Sequence, residues 1–248
     1  MRVLAAVDLD GTVVFSRRTP DGTLREEPAP GLAALATACD LVPVTTRTPE
    51  QYGRLALPGP PSLAVCANGA VLLRSGAPDP EWAGWAAGVC AAAAPLAEIE
   101  ARVGAGLDAG WAKTWRTAAG SFVYVVAHER AAIPAGWLAG LEPWLDDRGW
   151  RLSVQGRKVY AVPAGLTKDA AITRLRAELG DPPLLAAGDA LLDAGLLTLG
   201  AASAGAIRPA HGELHDRGWS LPGVAVTVAS GPPAGAEILA WLLTRSSR

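Results

Sequence analysis

One methionine, two phenylalanines and three cysteines are all that the 248 residues hold of those types. No stretch approaches the roughly 20 uninterrupted apolar residues that cross a bilayer, so no transmembrane helix is expected. Cys39, Cys66 and Cys90 are odd in number, widely spaced and set in apolar surroundings. That pattern excludes a disulfide framework and reads as reduced, buried thiols of a cytoplasmic protein. Charge of neither sign dominates: 22 Lys and Arg stand against 24 Asp and Glu, a net charge of -2, and the bases are scattered. Neither nucleic acid nor a membrane surface is therefore an expected partner. The opening MRVLAAVDLDGT carries one basic residue and a short apolar run before acids appear, unlike a secretory leader. What is abundant is apolar: half of the residues are hydrophobic and 19% are charged. That suffices for one large domain, or a core domain with a smaller one.

Four short apolar runs, at 3–7, 41–44, 63–66 and 184–187, have strand length and no alternation. Strands buried on both faces of a parallel sheet read this way. Pro43 weakens the second run, because proline cannot donate to a sheet ladder. Helical patterns at 31–38 and 168–179 alternate with these strands, which predicts a doubly wound, Rossmann-like α/β core with a parallel sheet. The middle of the chain differs. A helical stretch at 80–103 broken near Pro95, strands at 110–117 and 121–128, a helix at 135–148 and strands at 150–154 and 158–162 predict an inserted α+β domain. The expected division is 1–73 and 164–248 for the core and 74–163 for the insertion. Trp82, Trp85, Trp111, Trp115, Trp137, Trp144 and Trp150, of nine tryptophans in all, fall in the insertion. Packing a small domain's core is their expected use.

Candidate chemistry sits where the runs end. Asp8-Leu9-Asp10-Gly11-Thr12 follows the first run, placing two carboxylates at the carboxyl end of a buried strand, where open α/β sheets bind ligands. A pair of acids there is costly without compensation, and a divalent cation is the usual compensation. An Asx-type turn would account for the same residues. Thr45-Thr46-Arg47 follows the second run, where a threonine is also an ordinary cap. Lys168 begins a helix, a position whose dipole disfavours a cation, so it calls for an anionic partner unless it is simply solvated. Gly188-Asp189-Ala190-Leu191-Leu192-Asp193 follows the fourth run.

In this order the four segments resemble the motifs of the haloacid dehalogenase-like (HAD) superfamily. The insertion between the second and third resembles the α/β cap of its Cof-type, sucrose-phosphate phosphatase-like branch. Asn68-Gly69-Ala70 resembles that branch's segment after the third strand, and is equally natural as an Asn-Gly turn. The resemblance implies Asp8 as nucleophile, Asp10 as general acid and base, Thr45 on the phosphoryl oxygens and Lys168 balancing charge. It implies Mg²⁺ held by Asp8, the backbone carbonyl of Asp10, Asp189 and Asp193. Two positions depart from the family pattern: Thr46 replaces a common glycine, and Leu192 a common asparagine. Thr46, Arg47, Asn68, Gly69 and Arg208 are candidate substrate contacts, with Lys113, Arg116, Arg157 and Lys158 as further candidates in the cap. His128, His211 and His215 form no recognisable metal spacing.

The expected activity is hydrolysis of a small phosphorylated metabolite, a sugar phosphate or phosphoglycerate-type compound, through an aspartyl-phosphate. Two alternatives stay open: a phosphomannomutase-like phosphotransferase, and a non-catalytic ligand- or partner-binding module. The cap shows no dense arginine set to retain a bisphosphorylated intermediate, and every catalytic position is filled.

Overall fold

The computed structural model describes residues 2–20, 24–57 and 59–247. Its centre is a five-stranded parallel sheet in the order Val224–Val226, Gly205–Arg208, Leu184–Ala187, Leu4–Val7, Asp40–Pro43. Side chains alternate between its faces, as period-two geometry requires. Ala5 and Val7 point to one side, with Leu32 and Leu35 of helix Leu32–Ala38 and Ile238, Leu239 and Leu242 of helix Pro232–Ser246. Leu4 and Ala6 point to the other, with Ile172 and Leu175 of helix Lys168–Glu178 and Leu196 and Leu197 of helix Ala194–Ala201. This is the doubly wound core expected from the alternating runs.

Pro43 lies in the sheet without breaking it. Val44 N donates to Val7 O, so alternation turns the Pro43 nitrogen toward the opposite neighbour. Pairing on that side, with strand Leu63–Cys66, shrinks to the single bridge Val44–Val65. Strand Leu63–Cys66 instead pairs antiparallel with Val71–Arg74, which pairs with Ala77–Pro78. An unforeseen hairpin of Val14–Arg18 and Leu24–Pro28 projects beside the carboxyl edge of the sheet.

The inserted segment forms a four-stranded antiparallel sheet in the order Trp150–Gln155, Lys158–Pro163, Phe122–Ala127, Ala112–Ala118. Helices Leu96–Gly104 and Ala135–Asp146 cover one face, where Ile99, Val103, Leu141 and Leu145 meet Val123, Val125, Val159 and Ala161. The predicted break near Pro95 separates Leu96–Gly104 from helix Pro80–Cys90. Trp111 and Trp150 are buried in this cluster. Trp82 departs from expectation: it packs with Val42, Val65 and Leu72 of the large domain, donates Nε1 to Gly69 O at 2.8 Å, and carries the Arg174 guanidinium over its ring. An amphipathic indole starting a helix at the junction satisfies both its ring and its N–H there, which composition alone did not separate from cap packing.

Candidate active site

Register assembles the site. Val7 is level with Ala187 on one side and Pro43 on the other, so the residues just beyond these three strands converge: Asp8, Asp189 and Thr45. They lie at the carboxyl edge, at the point where strand order reverses, the usual ligand position of such sheets. Lys168 arrives from the adjacent helix, whose N-cap Thr167 accepts a hydrogen bond from Ala170 N.

The Lys168 amine is 1% exposed and donates to Asp8 Oδ1 and Asp193 Oδ1, both at 2.6 Å. Burial works against its charge, yet Asp193 and Asp8 together hold it above the usual lysine value. Thr12 Oγ1 donates to Asp8 Oδ2 at 3.0 Å and lies 3.4 Å from Asp189 Oδ1. Asp193 Oδ2 accepts from the Asp189 and Ala190 amides at 3.2 and 3.0 Å, so this side chain organises its own loop.

One carboxylate oxygen each from Asp8, Asp189 and Asp193 lie within 4.8 Å of one another. Burial raises Asp8 to about 7, with Lys168 opposing. Burial, Asp8 and Asp193 push Asp189 well above the usual carboxylate range, again against Lys168. One lysine is too little positive charge for three clustered acids, two of them buried, and an oxygen-rich cluster short of charge suits a hard divalent cation. The cradle is also shaped: a Cβ on Gly11, at φ +82°, would lie 2.8 Å from Asp189 Oδ2. A side chain there would be strained and would fill the space beside the carboxylate.

Asp10 faces a different environment. Arg47 grips both of its oxygens, with Nε donating to Oδ2 at 2.8 Å, and reaches Glu26 of the hairpin through Nη1 at 2.9 Å and Nη2 at 2.6 Å. Although burial opposes it, this clamp, with Lys158 and Lys168 behind it, holds Asp10 below its ordinary pKa. Asp8 and Asp10, two residues apart, are thus pushed in opposite directions.

Beyond Arg47 a cavity of about 130 Å³ separates the large domain from the cap, lined by Thr46, Arg47 and Gln51 below and Tyr124, Val126, Lys158 and Tyr160 above. Lys158 and Tyr160 alternate on one strand, and Val126 and Tyr124 are their cross-strand partners, so all four belong to the uncovered face of the cap sheet. Gln51 Nε2 donates to Tyr124 Oη at 3.1 Å, and Thr46 Oγ1 lies 3.4 Å from Tyr160 Oη. Tyr160, and then Asp10, hold Lys158 above the usual lysine value. Burial keeps the Tyr160 phenol protonated.

Of the residues singled out from sequence, Asp8, Asp10, Thr12, Thr45, Thr46, Arg47, Lys168, Asp189 and Asp193 come together. Thr45 is fully buried and its Oγ1 accepts from Arg47 N at 3.2 Å. Asn68 holds a left-handed backbone, φ 56°, with its amide on Thr45 O and its Nδ2 on Leu166 O. It braces the Thr45 loop, and neither Asn68 nor Gly69 lines the Arg47 cavity. Arg208 also stays outside that cavity and donates to Pro209 O. Lys113, Arg116 and Arg157 are exposed. Glu26, Gln51, Tyr124 and Tyr160 escaped the sequence reading. The signals available were the Asp21-Gly22 pair between two short runs, and Lys158 and Tyr160 alternating with the apolar Val159 and Ala161.

No protein-family model matches the sequence, and no curated protein matches it by sequence. Solved structures match over the whole chain. The sucrose-phosphatase of Synechocystis, solved with sucrose and phosphate, has a TM-score of 0.66 at 17% identity, covering 98% of each chain. A trehalose-6-phosphate phosphatase related protein gives 0.59 at 18%, covering 97% of each. A HAD subclass IIB sugar phosphatase gives 0.61 at 12%, covering 99% of each. The chain shares its fold with these three proteins.

Proposed function

We propose that this protein is a Mg²⁺-dependent phosphomonoester hydrolase that acts on a small phosphorylated metabolite through a phosphoryl group carried on Asp8. The observation that supports it most is Asp8 at the sheet switch point, bonded to Lys168 and clustered with Asp189 and Asp193 beneath a cap. In the first half-reaction an Asp8 oxygen bonds to phosphorus, the bond to the leaving oxygen breaks, and Asp10 gives that oxygen its proton. In the second, water attacks phosphorus, its proton goes to Asp10, and the Asp8–phosphorus bond breaks. The Arg47 clamp favours the ionised, proton-accepting form of Asp10, so the donor role requires that grip to relax. Lys168 neutralises Asp8 and offsets charge gathering on the phosphoryl oxygens. Asp8, the Asp10 carbonyl, Asp189 and Asp193 would hold Mg²⁺, which would neutralise phosphoryl charge and orient the group.

The cap cavity takes the leaving group. Its two phenols suit hydroxyls, and Lys158 suits a hydroxyl or an acidic substituent, which fits a sugar phosphate or a phosphoglycerate-type compound. Proteins of this fold include ones named for sucrose- and trehalose-phosphate. The test is phosphate release from sugar phosphates, phosphoglycerates, glycosyl-phosphoglycerates and nucleotides, with Mg²⁺ and with EDTA. Metal-dependent release from a member of the first three classes is expected. No release from any, with no phosphorylation of Asp8 by a small phosphodonor, would sink the reading.

A further inference from the structure

Glu213 belongs to the large domain, at the start of the short helix Glu213–Asp216, yet its partners reach well beyond that helix. Oε1 accepts from Val154 N of the cap at 3.0 Å and lies 3.4 Å from Arg217 Nε. Oε2 accepts from Ser153 Oγ of the cap at 2.9 Å and from Leu191 N at 2.9 Å. Both oxygens of this buried carboxylate face donors, so the place demands a carboxylate. A glutamine would turn its NH₂ toward one of the two donor pairs.

The partners matter by position. Ser153 is fully buried and is the cross-strand partner of Tyr160, so its hydroxyl lies on the cap face that looks at the large domain. Leu191 sits between Asp189 and Asp193. Its neighbour Leu192 is 5% exposed and packs into the apolar cluster that runs through the cap. Polar and apolar contacts thus join the same loop to the same cap.

We propose that Glu213 is a positioning residue, a buried latch that docks the cap and fixes the Asp189–Asp193 loop through one carboxylate. With the cap down, the latch adds to the hold that Asp193 already has on this loop. Lifting the cap takes Ser153 and Val154 away from Glu213 and leaves it with Leu191 and Arg217 alone. Ordering of the acid loop is thereby coupled to closure. These contacts join two segments of the chain and are measurable without any assay of phosphatase activity.

The test is hydrogen–deuterium exchange of the intact protein, read at segments 150–155 and 189–193, with helix Lys168–Glu178 as reference. Glu213→Gln is expected to speed exchange about tenfold or more in both segments, the effect of losing at least one hydrogen bond to a charged group, and to leave the reference unchanged. Ser153→Ala, altered only on the cap, is expected to speed exchange several-fold at 189–193 as well as at 150–155. A role confined to either domain does not move the segment across the interface. Wild-type protection at 189–193 in Ser153→Ala would overturn the proposal, even if Glu213→Gln failed to fold.

Discussion

The edge of the parallel sheet and the facing sheet of the cap meet across one site and are built on opposite rules. At the edge, functional side chains stand just past strand ends and are held by one another: Lys168 by Asp8 and Asp193, Asp10 by Arg47. On the cap, Tyr124, Val126, Lys158 and Tyr160 stand along strands, chosen by period two and backed by an apolar cluster. The edge fixes charges at points that a shift of one residue would destroy. The cap presents a surface whose members can change singly while the sheet stays whole. Register places the clustered acids at the edge, and alternation places the side chains of the cap face.

Breaking the edge carries the largest effects. Asp8→Asn removes the nucleophilic charge but keeps the shape, and steady-state assays are expected to show turnover abolished with circular dichroism unchanged. Lys168→Met leaves the three clustered acids without their lysine. A loss of about 3–5 kcal/mol is expected from denaturant titration, as when a buried ion pair loses a partner. Added Mg²⁺ is expected to restore part of it, and no recovery would argue against a cation in the cluster. Asp10→Asn is expected to lower kcat by about 10²–10⁴ through loss of proton transfer.

On the cap the same operations are milder. Lys158→Ala is expected to raise KM about tenfold with kcat nearly kept, since it removes binding rather than chemistry. An equal fall in kcat and kcat/KM would instead place Lys158 with the edge residues. The smallest effect concerns thiols. Burial raises Cys39 to about 11 and Cys66 to about 12, so both stay protonated between pH 7 and 9. A raised folded pKa means that their contribution to stability is intact below about pH 9 and is lost as pH rises through those values. Labelling by a disulfide reagent at pH 8 is expected to reach half-buried Cys90 first and to leave Cys39 and Cys66 untouched until unfolding.

This contrast also decides what was legible. The central strands announced themselves because both faces are buried, so residues such as Leu4–Val7 form unbroken apolar runs. The acids after them stood out because carboxylates at such strand ends need a reason. Strands Gly205–Arg208 and Val224–Val226 were missed, being short and set among glycine and alanine. Glu26 and Glu213 were invisible for another reason. Each acts through a partner far away in sequence, Arg47 for one and Ser153 and Leu191 for the other. Asp10 was recognised, but not the clamp that sets its charge.

The central claim is that Asp8 carries the phosphoryl group. It is tested most directly by incubating the Asp10→Asn protein with Mg²⁺ and acetyl phosphate, quenching in acid, reducing with borohydride and sequencing the peptides by mass spectrometry. Conversion of residue 8 to homoserine is the predicted result, absent with EDTA and absent in Asp8→Asn. Phosphoryl transfer to any other residue, or phosphate release by the Asp8→Asn protein at the wild-type rate, would contradict the account.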